Sequence, residues 1–200
     1  MSACLAGKKE HRYRYAYRKT MTNQEFDNIE VKPSPVEGLG VFVKRGFRTG
    51  ERIRCVNIVR EITAKSLLRE EDGERLEHCA YPDGKVVLWG FPDRHANHSC
   101  DPNIYELHKG DKVYIVARRN IAHGEEITFD YNINTADGST WPCNCGAARC
   151  RDESVGDFFH LPLDQQLEYR PLLADWFVAR HRERIEVLDA KIRNGSHKHV

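Results

Sequence analysis

Three of the seven cysteines in this 200-residue chain lie within a span of eight residues, at Cys143, Cys145 and Cys150. The odd total argues against a complete set of disulfides, and the clustering favours a metal site instead. Structural zinc takes four thiolate or imidazole ligands arranged as a tetrahedron. The cluster supplies three, so the chain must fold in a way that brings a fourth ligand from another segment.

The candidates for that fourth ligand lie about forty residues earlier in the chain. Cys100 is the first choice because it stands in an unusual loop, and His98 and His95 are the alternatives. A second interpretation makes Cys100 a thiol nucleophile, with His98 as base and Asp101 as orienting group. This is disfavoured because such groups normally meet from distant segments, and we expect the side chains of His98 and Cys100 to point apart.

A second cluster of candidate functional residues ends a predicted strand. Ile127, Phe129 and Tyr131 share one face of that strand, since side chains alternate with a period of two. The polar loop 132–134 follows at once, so the Tyr131 hydroxyl is predicted to emerge at a pocket, with Phe129 one step deeper. The short motif Gly38-Leu39-Gly40 precedes a strand rather than a helix, so it lacks the geometry of a dinucleotide site.

Composition and charge describe an ordinary soluble domain. The chain is 40% hydrophobic and 30% charged, and its formal net charge of +1 provides no overall field that would attract nucleic acid or an acidic membrane. No apolar run is long enough to span a bilayer, and no secretory signal is apparent. We therefore expect an intracellular, reducing compartment, cytoplasmic or nuclear, where disulfides rarely persist.

The pattern along the chain predicts a mainly β (α+β) protein of small curled sheets with helices at its C-terminal end. Residues 1–28 read as a flexible basic and aromatic arm, with nucleic-acid binding as the alternative. Short β-rich segments separated by turns then extend to Tyr131. The only helix predicted among them covers Ala64–Glu71. After Cys150, helices are predicted over Leu163–Arg170 and Leu172–Arg193.

Four motifs in this order resemble one family. They are Gly38-Leu39-Gly40-Val41-Phe42, the segment Asn97–Asn103, the segment Gly124–Tyr131, and Cys143-x-Cys145-x4-Cys150. Together they resemble a SET-domain protein lysine methyltransferase with its post-SET zinc motif. The resemblance implies small sheets around a pseudoknot, in which the second motif is threaded beside the strand of the third. It also implies a SET domain over 29–134, a zinc segment over 135–157 and a helical extension over 158–200.

The resemblance also implies the ligands. S-adenosylmethionine would be the methyl donor, and one structural zinc ion would join Cys100 to the cysteine cluster. The residues expected to contact the methyl donor are Leu39, Gly40, Asn97, His98 and Tyr131. The expected zinc ligands are Cys100, Cys143, Cys145 and Cys150.

For the chemistry, the resemblance makes Tyr131 the catalytic residue. A lysine amine, with an ordinary pKa near 10.4, must lose its proton before it attacks the donor methyl. An apolar channel and a sulfonium charge both disfavour the ammonium form. Candidates for the lysine channel are Phe129, Tyr81 and Tyr105, and phenylalanine at 129 favours di- or trimethylation. Asp130 is expected to anchor the turn rather than act as a base.

The chain also departs from the family pattern. No cysteine-rich segment precedes Gly38, and Asp152 stands where the family usually has glycine after Cys150-Arg151. The expected partner is a protein that presents a lysine, a histone tail or another basic protein, with no membrane and no direct nucleic-acid binding. The alternative is a catalytically inactive SET-fold binding module.

Overall fold

The computed structural model describes residues 28–196, with side chains described as far as Arg193. The predicted arm over 1–28 therefore lies outside the described residues except for Asn28. Among the described residues, no helix is both long enough and apolar enough to cross a membrane.

Small, mainly antiparallel sheets contribute more of the described residues than the helices do, as the turn-rich sequence predicts. The strands are β1 (Ile29–Pro33), β2 (Leu39–Val43), β3 (Arg52–Cys55), β4 (Ile58–Ile62), β5 (Cys79–Ala80), β6 (Val86–Trp89), β7 (Asn97–His98), β8 (Ile104–Lys109), β9 (Lys112–Ala117), β10 (Glu126–Phe129), β11 (Ala136–Pro142) and β12 (Glu153–Asp157). Their orders are β1-β2-β10-β7, β3-β9-β8, β4-β6-β5 and β11-β12.

The helices follow the last strand. They are α1 (Leu163–Tyr169), α2 (Asp175–Arg180) and α3 (Arg182–Ser196). Short 3-10 turns connect several elements, at Glu70–Asp72, Leu76–His78, Pro82–Gly84, Asp93–His95, Phe158–His160 and Arg170–Leu172.

Strand β10 lies at the centre of the predicted pseudoknot. It pairs antiparallel with β2 and parallel with the two-residue β7, where Thr128 lies opposite Asn97. Asn103 fixes this arrangement from inside the protein. Its backbone N–H donates to the Thr128 carbonyl (3.1 Å), its side-chain oxygen accepts from the Thr128 N–H (2.9 Å), and its amide donates to the Glu126 carbonyl (2.7 Å). The segment 97–103 is thereby held against the strand that leads to Tyr131.

Two separate hydrophobic clusters stabilise the fold. The sheet cluster is formed by buried residues of the strands and the turns between them: Ile29, Val41, Val43, Phe47, Ile53, Val56, Val87, Trp89, Ala96, Ile104, Val113, Ile115, Ala117, Ile121 and Ile127. The helical cluster is formed by Phe158, Leu161, Tyr169, Leu173, Phe177, Ile185 and Leu188.

The helix predicted over Ala64–Glu71 is wrong. Thr63 and Ser66 exchange backbone hydrogen bonds in a narrow bridge (3.2 and 2.9 Å). The Arg60 guanidinium also takes the carbonyls of Ser66 and Leu67 (3.0 Å each), acceptors that a helix would use for its own N–H groups. Only the single turn Glu70–Asp72 is helical in this stretch. Arg60, four residues before this stretch, therefore overrides its local helix preference.

The predicted long C-terminal helix is divided in two. The chain leaves the helix at His181, between α2 and α3, and the His181 ring packs on Phe177 with ring centroids 4.5 Å apart. Both helices contribute apolar residues to one cluster, Phe177 from α2 and Ile185 and Leu188 from α3.

Candidate active site and metal centre

Tyr131 follows the end of β10 and lies where the threaded segment meets the post-SET strands. Its hydroxyl donates to the Ala96 carbonyl (3.0 Å), and its backbone N–H donates to Nδ1 of His98 (3.2 Å). The ring contacts those of Phe129 and Trp141, with centroids 4.8 and 6.2 Å away. Burial raises the pKa of the phenol well above its usual range, so the hydroxyl keeps its proton at neutral pH.

A cavity of about 190 Å³ opens beside this tyrosine. Phe129 and Tyr131 line it, as predicted, together with Trp89 and Trp141. Tyr81, one of the three candidate channel residues, also lines it. An aromatic wall of this kind can hold a long apolar stem and exclude water.

Tyr105, the third candidate, is not brought to this cavity. Its neighbours Glu106 and His108 on β8 line the cavity instead. Side chains alternate along a strand, so Tyr105, one residue before Glu106, points to the opposite face. The sequence pattern gave no sign of which face of β8 would meet the site, because both carry an aromatic ring.

Three of the residues predicted to contact the methyl donor meet on the other strands of the pseudoknot. The Asn97 amide lies within hydrogen-bond distance of the carbonyls of Glu37 (3.1 Å) and Leu39 (3.2 Å) and of the Glu126 carboxylate (2.8 Å). A Cβ at Gly40 would lie only 2.1 Å from that carboxylate. Glycine therefore leaves room for the Glu126 carboxylate in its present position beside β2.

His98 connects the pseudoknot to the cysteines. Because its Nδ1 accepts from the Tyr131 N–H, its proton is assigned to Nε2, which lies 3.5 Å from the Cys100 Sγ. Burial lowers the pKa of His98 to about 4, so the ring is neutral. The expectation that the two side chains point apart is therefore wrong. Residues two apart on an extended segment share a face.

Asp101 does not complete a nucleophilic triad with these residues. Its carboxylate lies 3.3 Å from the Arg118 guanidinium and 3.2 Å from that of Arg149, at the protein surface. His95, the other alternative metal ligand, is also elsewhere, with its ring against Phe91 and His78. The nucleophile interpretation therefore keeps the His98–Cys100 contact but lacks Asp101 as its orienting group.

Four sulfurs come together instead. The ligand atoms of Cys100, Cys143, Cys145 and Cys150 all lie within 4.8 Å of one another, with Cys143 Sγ 3.6 Å from Cys100 Sγ and 3.7 Å from Cys150 Sγ. A tetrahedral zinc ion with Zn–S bonds near 2.3 Å requires sulfurs about 3.8 Å apart. Cys145 Sγ also accepts from the Cys100 N–H (3.4 Å), as a metal thiolate does. The four cysteines therefore suit a tetrahedral zinc ion.

Arg151 was not assigned a role from the sequence, yet it occupies the centre of the site's support. It donates to both oxygens of the fully buried Asp130 (2.9 Å each) and to the Gln165 side chain on α1 (2.8 Å). Asp130 also accepts from the Asn132 N–H (3.1 Å). The expected anchoring role of Asp130 therefore has a structural basis in this bidentate pair.

The turn after the last cysteine accommodates the departure at Asp152. Asp152 has φ = 59°, a left-handed conformation that glycine adopts most easily and that aspartate tolerates. Its carbonyl accepts from the Cys143 N–H (2.7 Å), which closes the cysteine loop. The chain thus follows the turn that a glycine would favour.

A second arginine ties the cysteine loop to the helices. Arg149 donates to the Cys100 carbonyl (3.0 Å), to Glu168 (2.7 Å) and to the Tyr169 hydroxyl (2.8 Å). Arg118 reaches the same glutamate (2.7 Å). The available sequence signal was two arginines on either side of the last cysteine, which alone does not name their partners.

The threaded strand, the tyrosine at its end and the four-cysteine cluster define a SET fold with a post-SET cysteine site. Residues 38–132 match the family model described as "SET domain". Residues 38–132 therefore form a SET domain.

The chain is similar to histone-lysine methyltransferases from several organisms. It is 35% identical to human histone-lysine N-methyltransferase 2B over 135 residues, which is 62% of this chain and 5% of that protein. It is 46% identical to the Debaryomyces hansenii "Histone-lysine N-methyltransferase, H3 lysine-36 specific" over 139 residues, 64% of this chain and 19% of that protein. It is 31% identical to Drosophila melanogaster histone-lysine N-methyltransferase trr over 74% of this chain and 7% of that protein. The match thus spans less than a fifth of each of these relatives.

Proposed function

We propose that this protein is an S-adenosylmethionine-dependent protein-lysine N-methyltransferase. The observation that supports this most directly is the position of Tyr131. Its hydroxyl donates to the carbonyl of Ala96, the residue before Asn97, and its ring lines the aromatic cavity together with Phe129 and Trp141. A neutral phenol between a methyl-donor site and a channel for an amine is what methyl transfer to lysine requires.

The methyl donor would bind at the pseudoknot, in contact with Leu39, Gly40, Asn97, His98 and Tyr131. S-adenosylmethionine carries a sulfonium and an α-ammonium group, and both are cations. The carbonyls of Glu37 and Leu39 and the Glu126 carboxylate offer acceptors that suit such a ligand.

The aromatic cavity would receive the substrate lysine. Removing an ammonium group from water disfavours its charged form, so the apolar walls promote loss of the lysine proton. The cavity also fixes the direction from which the amine approaches the donor methyl, and orientation of this kind contributes strongly to rate. The Tyr131 hydroxyl, held by the Ala96 carbonyl, is placed to orient the reacting groups.

Phe129 supports the further proposal of multiple methylation. Its ring lies against Trp89 and Tyr131, with centroids 5.8 and 4.8 Å away, and it brings no hydroxyl that could hold a water in the channel. Such a channel leaves room for a methylated amine. We expect di- or trimethyl product, and Phe129→Tyr should shift the product toward monomethyl-lysine. Intact mass measurement on a single-lysine peptide checks this.

One structural zinc ion is proposed at Cys100, Cys143, Cys145 and Cys150. It would tie the threaded segment to the post-SET strands β11 and β12. We expect one zinc per chain by elemental analysis, and loss of both zinc and activity in Cys143→Ser. Cys79→Ser is the matched control, since this cysteine lies outside the cluster. Full metal content in Cys143→Ser would refute the assignment.

The test of the activity is methyl transfer from labelled S-adenosylmethionine to core histones and to a library of lysine-containing peptides. Tyr131→Phe should lower kcat by about 10²- to 10³-fold, because a positioned group at the reacting atoms is lost while folding is preserved. Unchanged turnover in Tyr131→Phe would remove the catalytic assignment. Binding of S-adenosylhomocysteine without transfer to any substrate would instead support the inactive binding module.

The proposed organisation keeps the boundaries derived from the sequence: a SET domain over 29–134, a zinc segment over 135–157 and a helical extension over 158–200. A protein presenting a lysine is the proposed substrate partner. Histone tails are the first class to try, because the three relatives above are named as histone-lysine methyltransferases.

A further inference from the structure

One wall of the aromatic cavity comes from outside the SET match. Trp176 of α2 lines the cavity together with Tyr131 and Trp141, although it lies more than forty residues beyond residue 132. Its ring meets the edge of the His108 ring on β8, with centroids 6.3 Å apart. The helical C-terminal extension therefore also shapes the cavity.

Helix α2 is held in this position by specific contacts. The Arg180 guanidinium lies over the Trp176 ring at 5.4 Å and forms an ion pair with Asp83 (3.3 Å). A Cβ at Gly84 would lie 2.8 Å from the same guanidinium, so Arg180 packs closely on this turn. The turn Pro82–Gly84 directly follows Tyr81, so α2 and this channel residue are fixed relative to each other.

The Glu106 carboxylate lies near the contact between Trp176 and β8. Glu106 lines the cavity, and its Oε2 lies 3.0 Å from Nε2 of His108. Its side chain is only 20% exposed. Trp176 and Glu106 both contact His108, so an aromatic ring and a partly desolvated carboxylate lie at the same corner, a combination that suits a cationic side chain.

The charge of the whole cavity agrees with this choice. Two carboxylates, Glu106 and Asp137, line it against one guanidinium, Arg94. Two histidines also line it: burial lowers the pKa of His78, which therefore adds no charge at neutral pH, and His108 is hydrogen-bonded to Glu106. A negatively charged substrate residue would gain less here than a positively charged one.

We infer that Glu106, His108 and Trp176 form a specificity subsite for an arginine or lysine close in sequence to the methylated lysine. The inference rests on the proposed methyltransferase function, because it places the target lysine in the neighbouring part of the same cavity. Trp176 supplies the aromatic surface and Glu106 the charge. The C-terminal extension thereby selects the peptide, while the SET domain carries the reaction.

The test uses nine-residue peptides with one central lysine, in which each flanking position is in turn arginine, norleucine or glutamate. Binding is measured with the full chain and S-adenosylhomocysteine, and turnover with S-adenosylmethionine. At one flanking position the unmodified protein should prefer arginine over norleucine by about tenfold in Kd and KM. Glu106→Gln, which keeps the shape of the side chain, should abolish most of that preference in both Kd and KM.

Trp176→Phe and Trp176→Ala separate the aromatic surface from the rest of the helix. Trp176→Phe should keep part of the arginine preference, and Trp176→Ala should lose it. The control is Glu183→Gln, at an exposed position of α3, which should behave as the unmodified protein does. A preference for glutamate, an arginine preference that survives Glu106→Gln, or equal binding of all peptides would overturn the subsite. Absence of methyl transfer together with an arginine preference in binding would count against the proposed function alone.

Discussion

The sheet cluster and the helical cluster are built in opposite ways. The sheet cluster depends on strands far apart in sequence, such as Val41 and Ile127, which face each other across the β2–β10 pair. The helical cluster is assembled from residues 158–188, all within one stretch of chain. Long-range pairing needs the whole SET sequence to be in place, whereas the helices need only their own neighbours.

Polar side chains connect the two clusters. Arg151 joins Asp130 at the end of β10 to Gln165 on α1, and Arg149 joins the Cys100 carbonyl to Glu168. These guanidinium groups have fixed geometry and several donors, which suits them to holding two bodies in register. These hydrogen bonds therefore fix the position of the helices relative to the sheets.

Tyr131 lies at this boundary. Two residues before it, Phe129 packs against the sheet cluster, and two residues after it, Ile133 packs against the helical cluster. The candidate catalytic residue thus depends on both. The C-terminal extension can therefore influence the site although it contributes no strand to the SET sheets.

The largest expected effect comes from removing the ion pair between Arg151 and Asp130. Arg151→Met leaves the buried Asp130 carboxylate without its bidentate partner and should lower the free energy of unfolding by about 3–5 kcal/mol. Urea unfolding followed by circular dichroism measures this. The double variant Asp130→Asn with Arg151→Met should recover part of the loss, because no buried charge then remains unpaired. A single-variant loss below about 1 kcal/mol would contradict the role of this pair.

A cavity in the helical cluster should test its independence from the sheets. Phe177→Ala removes a ring that is 1% exposed and should cost about 3–5 kcal/mol. Hydrogen exchange should rise in α1, α2 and α3 while the amides of β2 and β10 stay protected. Ile127→Ala is the matched change in the sheet cluster and should expose the strands. Equal loss of protection everywhere in both variants would show one cooperative unit.

Acid should weaken the sheet region through His95. Burial lowers the pKa of His95 to about 4, whereas an unfolded histidine titrates near 6.5. The folded state prefers the neutral ring, so this contribution is fully present above pH 6.5 and is lost as the pH falls toward 4. Between pH 7.5 and 5.5 the loss should be about 1 kcal/mol. The Arg94 Nε donor, 3.3 Å from His95 Nε2, opposes protonation in the same direction.

Urea unfolding at the two pH values checks this. His95→Gln should show a smaller difference between them than the unmodified protein does. His123→Gln, at an exposed histidine, should show the same difference as the unmodified protein. If His95→Gln retains the full pH dependence, the acid sensitivity arises elsewhere.

The smallest expected effect lies in the loop between the two regions. Asp152→Gly should stabilise the protein by about 0.5 kcal/mol, because glycine adopts the left-handed conformation at less cost than aspartate. Asp152→Ala should destabilise it instead, since alanine has neither freedom nor a side-chain hydrogen bond to offer. Thermal unfolding of the three proteins in parallel gives the order. Alanine more stable than glycine would contradict the observed turn.

Much of the site could be predicted because its signals are local. The spacing of Cys143, Cys145 and Cys150 indicates a metal cluster without reference to the fold, and the period of two places Phe129 and Tyr131 together. The wider fold class followed from short β-rich segments and frequent turns. The helix predicted over Ala64–Glu71 failed because Arg60, outside that stretch, takes its carbonyls.

Sequence by itself determined the chemistry of this protein: four thiolates suited to zinc, a tyrosine at a strand end, and the order of motifs that marks a SET domain. Tertiary structure decided which groups surround that chemistry. It turned His98 toward Cys100, gave Asp130 its partner Arg151, and placed Trp176 rather than Tyr105 at the cavity. The physical reason is that residue type and period are carried by each segment alone, whereas partners across the fold depend on how distant segments pack.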